Sequence, residues 1–264
     1  MLQQRITDLV TELKGTAGIV VRDLSSGEGV GVNADQEFPA ASVIKLGVLW
    51  QLFQAVEAGR VKLDDRLPLP EARDIQGSGI LREMHSGLMP TVQDVAILMI
   101  IISDDVATNM LIDLLGLAEI NAALQALGLT RTRLGRKMMS PQDAIRVPPS
   151  SDNVMSPADA AYLLEAMLRS ERASKNSRRQ MLEILQKQRL NDRLPVLLPK
   201  GLVFPHKTGS LPGVVNDAGI LFLGIRPIAM AVLTKELKDN RDGVRLANRV
   251  GEAVYMHFAG PGAG

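Results

Sequence analysis

HKTGSLPGVVNDAGILFLGIRPIAMAVLTK, residues 206–235, reads as three β-strands in succession. Its β-rich runs are His206–Ser210, Asp217–Leu223 and Ile228–Thr234, separated by the turn residues Pro212–Gly213 and Arg226–Pro227. Two more strand candidates lie near the other end of the chain. Ala17–Asp23 carries GIVV, and Gly29–Asn33 follows the turn segment Ser25–Gly27. Everything between these two groups is mainly helical. Ser42–Ala58 begins on a good cap and stops at Gly59. Thr91–Asp94 resembles a capping box and opens a helix running toward Leu115, with Gly116 as its stop. Ser156-Pro157-Ala158-Asp159 supplies a cap, a proline at the first helical position and an early acid for a helix over Ala158–Leu168. Met1–Lys14 is amphipathic through Leu2, Ile6, Leu9, Val10 and Leu13, and a last helix spans about Gly243–His257. Arg131–Met155, with Pro141, Pro148 and Pro149, lacks periodicity and reads as a long surface loop. The expectation is an α+β fold. Residues 1–41 and 200–264 form a sheet lobe whose strands join one antiparallel sheet, and residues 42–199 form a helical lobe.

Composition narrows the function. The 264 residues are 46% hydrophobic and 22% charged, enough to build a core. Thirty Lys+Arg against 29 Asp+Glu leave a net charge of +1, which gives no electrostatic case for nucleic acid or an anionic membrane. Cysteine is absent, and His85, His206 and His257 are the only histidines, so thiol chemistry is excluded and a histidine-rich metal site is not expected. The apolar run that includes Ala96–Ile102 is far short of a bilayer span. The first residues lack a basic end followed by an apolar stretch. A cytoplasmic location is therefore expected for the chain as written, or a periplasmic or secreted one if it is a trimmed mature form.

Three short motifs carry chemistry. In Ser42-Val43-Ile44-Lys45, a helical spacing of three puts hydroxyl and amine on one face. The free N–H groups of a helix start stabilise developing negative charge at Ser42 and disfavour a cation at Lys45. An ordinary lysine titrates near ~10.4, so base function at neutral pH needs burial or a second cation as well. Alone, the motif reads more readily as a helix cap with an exposed lysine three residues later. Ser103-Asp104-Asp105 ends the apolar run, where a buried hydroxyl can relay protons; a solvent-facing turn is the plainer reading. Lys207-Thr208-Gly209-Ser210 lies on an expected strand. Lys207 and Thr208 suit a carboxylate, Gly209 permits close approach to the backbone, and the Ser210 N–H can help form an oxyanion hole; an edge strand guarded by lysine is the alternative.

Taken together, in this order, the three motifs resemble S-x-x-K, S-D-N and K-T-G of the penicillin-recognising serine hydrolases, and within them the class A β-lactamases. Phe38-Pro39-Ala40-Ala41, Gly77-Ser78-Gly79-Ile80-Leu81, Ala107-Thr108-Asn109 and Asn216-Asp217 extend the resemblance over about Gly18 to Phe258. It implies a five-stranded antiparallel sheet packed on helices, a helical lobe, and a site in the cleft between them. It also implies Ser42 as nucleophile, Lys45 as general base, Ser103 as proton shuttle, and Lys207 with Thr208 holding a substrate carboxylate. The N–H groups of Ser42 and Ser210 would form the oxyanion hole, with no metal or cofactor.

Two departures stand out. The family's deacylating glutamate falls at Met138, and no glutamate lies in Arg131–Met155; Asp143 is the nearest in-loop carboxylate. Acylation with slow deacylation is the expectation. Asp105 stands where the family has asparagine: an ionised Asp only accepts hydrogen bonds, and it favours the ammonium form of Lys45. Asp105→Asn is therefore expected to improve penicillin acylation. Arg136 resembles the family's loop anchor, but its usual acidic partner's position holds Asn153, which implies a looser loop. The leading expectation is a class A-like β-lactamase forming an acyl-serine. A related peptidase or esterase with little lactam turnover, and a penicillin-binding domain acylated once, are the alternatives. The expected partner is a small β-lactam, peptide or ester, and the sequence leaves the oligomeric state open.

Overall fold

The structure is a computed structural model describing residues 1–71, 77–139 and 148–260. Helix α1 (Leu2–Thr11) precedes strands β1 (Thr16–Asp23), β2 (Gly29–Val32) and the short β3 (Phe38–Pro39). A 3₁₀ turn over Ala41–Ile44 leads into α2 (Lys45–Glu57). Then come α3 (Val92–Ile101), α4 (Asp105–Leu115), α5 (Leu117–Ala126) and β4 (Val154–Met155). Helices α6 (Pro157–Arg169) and α7 (Lys175–Gln186) follow. Strands β5 (His206–Leu211), β6 (Val214–Leu223) and β7 (Arg226–Lys235) precede the final helix α8 (Asn240–Ala259).

The sheet is five-stranded and antiparallel, in the order β2-β1-β7-β6-β5. The two ends of the chain meet where β1 pairs with β7, Ile19 opposite Val232. Strand alternation sends side chains to two cores. Ile19, Val21, Met230 and Val232 pack with Leu2, Ile6 and Leu9 of α1 and Leu246, Val250 and Val254 of α8. Ala218, Ile220, Ala229, Ala231 and Leu233 face the helices, among them Trp50, Phe53 and Leu163. Helix α2 runs through this second core with Leu46 to Phe53 all buried, and so carries Lys45 away from water.

Two local expectations are corrected. The helix beginning at Thr91 does not reach Leu115: it ends at Ile101, Ser103 takes a left-handed φ of 58°, and Asp104 caps a new helix by accepting from Ala107 N at 2.9 Å. A buried aspartate that satisfies free N–H groups outcompetes continuation of the helix. Ser42 does not start the α-helix; it sits in the 3₁₀ turn that precedes it. The capping signals at Thr91 and Ser156 do act as read, with Thr91 Oγ1 accepting from Asp94 N and Ser156 Oγ from Asp159 N, each at 3.1 Å. Pro141 and Asp143 lie outside the described residues.

Candidate active site

Strand β5 runs against the turn that holds Ser42. A Cβ built on Gly209 would stand 2.9 Å from Ser42 N, 3.0 Å from the Ala41 Cβ and 3.1 Å from Val43 N. Only glycine permits this approach, which brings the Ser42 backbone beside β5. Asn216 on β6 fastens the preceding segment, donating from Nδ2 to Pro39 O at 2.8 Å and Ala40 O at 3.2 Å. Ala41 has a left-handed φ of 46°, so both Ser42 and the α3–α4 corner at Ser103 adjoin or occupy strained backbone.

That corner is the hub of the site. Lys45 Nζ donates to Ser103 O at 2.7 Å, Ser103 Oγ at 3.0 Å and Asp105 Oδ1 at 2.7 Å, while Lys207 Nζ reaches the same Oγ at 3.1 Å and Thr208 O at 2.8 Å. One hydroxyl thus bridges two fully buried lysines. Burial pushes the Lys45 pKa below the ordinary lysine value, against the upward pull of Asp105 and Asp104. Burial, then the charges of Lys45 and Arg193, drives Lys207 well below it, against Asp217 and Asp105. Both amines are thereby shifted toward exchanging protons with the Ser103 hydroxyl, the arrangement a proton relay requires.

Asp105 is fixed from two sides. Besides Lys45, it accepts Ser78 N on Oδ2 at 3.0 Å, and its own N–H donates back to Ser78 O at 3.0 Å. Its neighbour Asp104 is buried and accepts Ile80 N at 2.7 Å and Leu81 N at 2.9 Å, so residues 78–81 hang on these two carboxylates.

Of the residues expected from sequence, Lys45, Ser103, Asp105 and Lys207 form one bonded cluster. Gly209 lies on the Ser42 backbone, Thr208 is buried at the register position of Asp217, and Ser210 is exposed. The sequence reading missed Arg193. Its Nη1 donates to Asn216 O at 2.8 Å and Gly209 O at 3.2 Å, and its Nη2 to Ser210 Oγ at 2.6 Å. No local pattern around Arg193 marks it; it arrives through tertiary packing. The closely spaced Gly77 and Gly79 were the available signal for the loop over Asp105. His206 faces the other core, with Nδ1 2.8 Å from Asp217 Oδ1 and Nε2 2.9 Å from Asn191 Oδ1.

At the start of the long loop, Met138 is half-buried against the helical core. Arg136 bonds Asp152, with Nη2 3.2 Å from Oδ1, and Asn153 Oδ1 accepts Gly135 N at 2.8 Å and Arg136 N at 3.0 Å. The neck of the loop is therefore tied by two residues, not left loose by the loss of one acid.

The profile of the Beta-lactamase enzyme family (Beta-lactamase2) matches residues 1–258. Among solved structures, the β-lactamase from Sphaerobacter thermophilus DSM 20745 is 34% identical at a TM-score of 0.90, over 98% of this chain and 97% of that one. PBP-A is 36% identical at a TM-score of 0.88, over 98% and 96%. An ancestral class A β-lactamase (GNCA) is 27% identical at a TM-score of 0.89, over 98% and 100%. Because the family profile spans residues 1–258, nearly the whole chain, this chain belongs to the Beta-lactamase enzyme family and is a β-lactamase-like serine hydrolase.

Proposed function

We propose that this hydrolase opens β-lactam rings on Ser42 and releases the resulting acyl group slowly. Lys45 takes the Ser42 hydroxyl proton as Oγ bonds to the lactam carbonyl carbon. The C–N bond breaks, and the proton passes through Ser103 to the leaving nitrogen. Lys207 and Thr208 hold the substrate carboxylate, and the Ser42 and Ser210 N–H groups receive the developing oxyanion. Each such donor typically contributes ~2.7–4 kcal/mol to a transition state.

The observation that carries slow release is Met138. It stands where the family resemblance puts the deacylating glutamate, and a thioether cannot draw a proton from water. General-base help of that kind is usually worth ~10²–10⁴-fold. Among relatives, a single-residue mutant of PBP-A forms an acyl-enzyme complex with penicillin G.

Intact-mass spectra after mixing with a penicillin test this reading. The expected result is a stoichiometric adduct, absent in Ser42→Ala, that persists over many minutes. Rapid return to the free mass would refute slow release. The second reading, a peptidase or esterase with little lactam turnover, is favoured by Asp105. A chromogenic cephalosporin assay beside a short-chain ester assay separates the two.

A further inference from the structure

Asp105 differs in kind from the amide that the family resemblance puts at its position, and its surroundings are fitted to the difference. A carboxylate offers only acceptors, about four lone-pair sites in all. Two are used: Oδ1 by Lys45 Nζ at 2.7 Å and Oδ2 by Ser78 N at 3.0 Å. The return bond from Asp105 N to Ser78 O at 3.0 Å fixes the orientation of the pair. An asparagine keeping its oxygen on Lys45 would turn its NH₂ toward the Ser78 N–H, donor against donor. The loop also presses closely on this carboxylate: a Cβ on Gly77 would fall 2.1 Å from Oδ2. Gly77 lacks the side chain that would collide with this carboxylate, and Ser78 presents a donor where an aspartate accepts and an asparagine amide would not, so the donor fits the aspartate.

The Asp105 side chain is 14% exposed, whereas that of Lys45 is fully buried. An acyl group that reaches this side of the cluster therefore meets the remaining lone pairs of Asp105, not the Lys45 amine. Lys45 is turned inward, its fully buried Nζ engaged by Ser103 O, Ser103 Oγ and Asp105 Oδ1. A carbonyl oxygen placed here meets acceptors alone, a mismatch that costs binding without any clash. An amine placed here finds a charge-assisted acceptor. The cations Lys207 and Arg193 lie along β5 and suit an anionic group at the other end of the substrate.

We infer that Asp105, held by Ser78, selects acyl donors with a free amine next to the scissile carbonyl, such as aminoacyl amides, esters and unacylated aminolactams, over their N-acylated counterparts. This rests on the acyl-Ser42 reading and names its substrate class.

The test compares 6-aminopenicillanic acid with benzylpenicillin, which differ by the phenylacetyl group on the amine beside the lactam carbonyl. In both, Ser42 Oγ bonds to that carbonyl carbon, the lactam C–N bond breaks, and the hydroxyl proton ends on the lactam nitrogen. Acylation rate constants come from intact-mass time courses. The readout is the ratio of the two compounds in the native protein, in Asp105→Asn and in Asp105→Ala, so that a general loss of activity in a variant cancels. The expected result is a ratio favouring the free amine that falls at least tenfold in both variants. Equal ratios in all three proteins would overturn this inference and leave the acyl-serine reading standing. No Ser42 adduct with either compound would overturn both.

Discussion

Asn109 grips the backbone of Met138 at both ends, donating from Nδ2 to its carbonyl oxygen at 2.9 Å and accepting its N–H on Oδ1 at 2.8 Å. The position is thus pinned to α4, the helix that opens at the Ser103 corner, whatever side chain it carries. That makes Met138→Glu a direct test of slow release. The variant is expected to acylate at the native rate and to lose its adduct ~10²-fold faster or more, the usual worth of a general base. Time-resolved intact-mass spectra read both steps. An adduct as persistent as the native one would show that residue 138 does not serve the ester bond.

The two buried lysines set an expected pH profile. Protonated Lys45 cannot take the Ser42 proton, so acylation falls as pH drops through its pKa. Burial has lowered that pKa, which places the acid limb below the ordinary lysine value of 10.5. Lys207 holds a carboxylate only while charged, so binding weakens as pH rises through its pKa, which lies well below the same value. Acylation is therefore expected to peak below the ordinary lysine range. Because Asp105 pulls the Lys45 pKa upward, Asp105→Asn should move the acid limb to lower pH. Acylation rate constants across pH check both statements; an unmoved limb would remove Lys45 from the role of base.

The three C-terminal strands, β1, β2, the caps at Thr91 and Ser156 and the four bonded residues of the site were legible in the sequence. Each is announced by local chemistry: β-rich runs between turn residues, cap hydroxyls, and hydroxyl–amine spacing. What was not legible depends on tertiary partners. The break at Ser103 requires a buried Asp104 with distant N–H groups to satisfy, and no spacing rule reports that. Arg193 reaches β5 from a segment of its own, and Asp152 takes up Arg136 one residue before the position where an acid was sought. Helices α5 and α7 were passed over. Helix α7 begins inside the basic stretch Arg172–Arg179, whose charges suggest a solvated helix or loop face and do not announce that Met181, Ile184 and Leu185 further on face the core.

Asp104 is expected to be the more costly of the two adjacent acids to remove. Its carboxylate receives three backbone N–H groups, from Ile80, Leu81 and Ala107, at 2.7–2.9 Å in a fully buried position. Asp104→Ala leaves all three without that acceptor, and each buried unsatisfied group costs about 1–3 kcal/mol. A loss of roughly 3–5 kcal/mol in urea unfolding is expected after partial relaxation, and about half as much for Asp104→Asn, which retains one acceptor. Because residues 78–81 hang on the same carboxylate, acylation should fall in both variants under conditions where they remain folded. A loss below about 1 kcal/mol in Asp104→Ala would mean that water replaces these bonds at little cost.

Gly209→Ala probes the contact that brings β5 to the nucleophile. The new methyl would stand 2.9 Å from Ser42 N and 3.1 Å from Val43 N, both backbone atoms of a turn whose preceding segment Asn216 ties to the sheet. The turn cannot yield by rotating a side chain, so β5 must retreat from Ser42. A retreat of a few tenths of an ångström separates the Ser42 and Ser210 N–H groups that would converge on one oxygen, and losing one such donor costs ~10²–10³-fold. Acylation is expected to slow by about that factor. The sheet's other contacts are untouched, so thermal unfolding should shift only slightly. A variant that melts normally and acylates at the native rate would show that the close approach of β5 is packing alone and takes no part in catalysis.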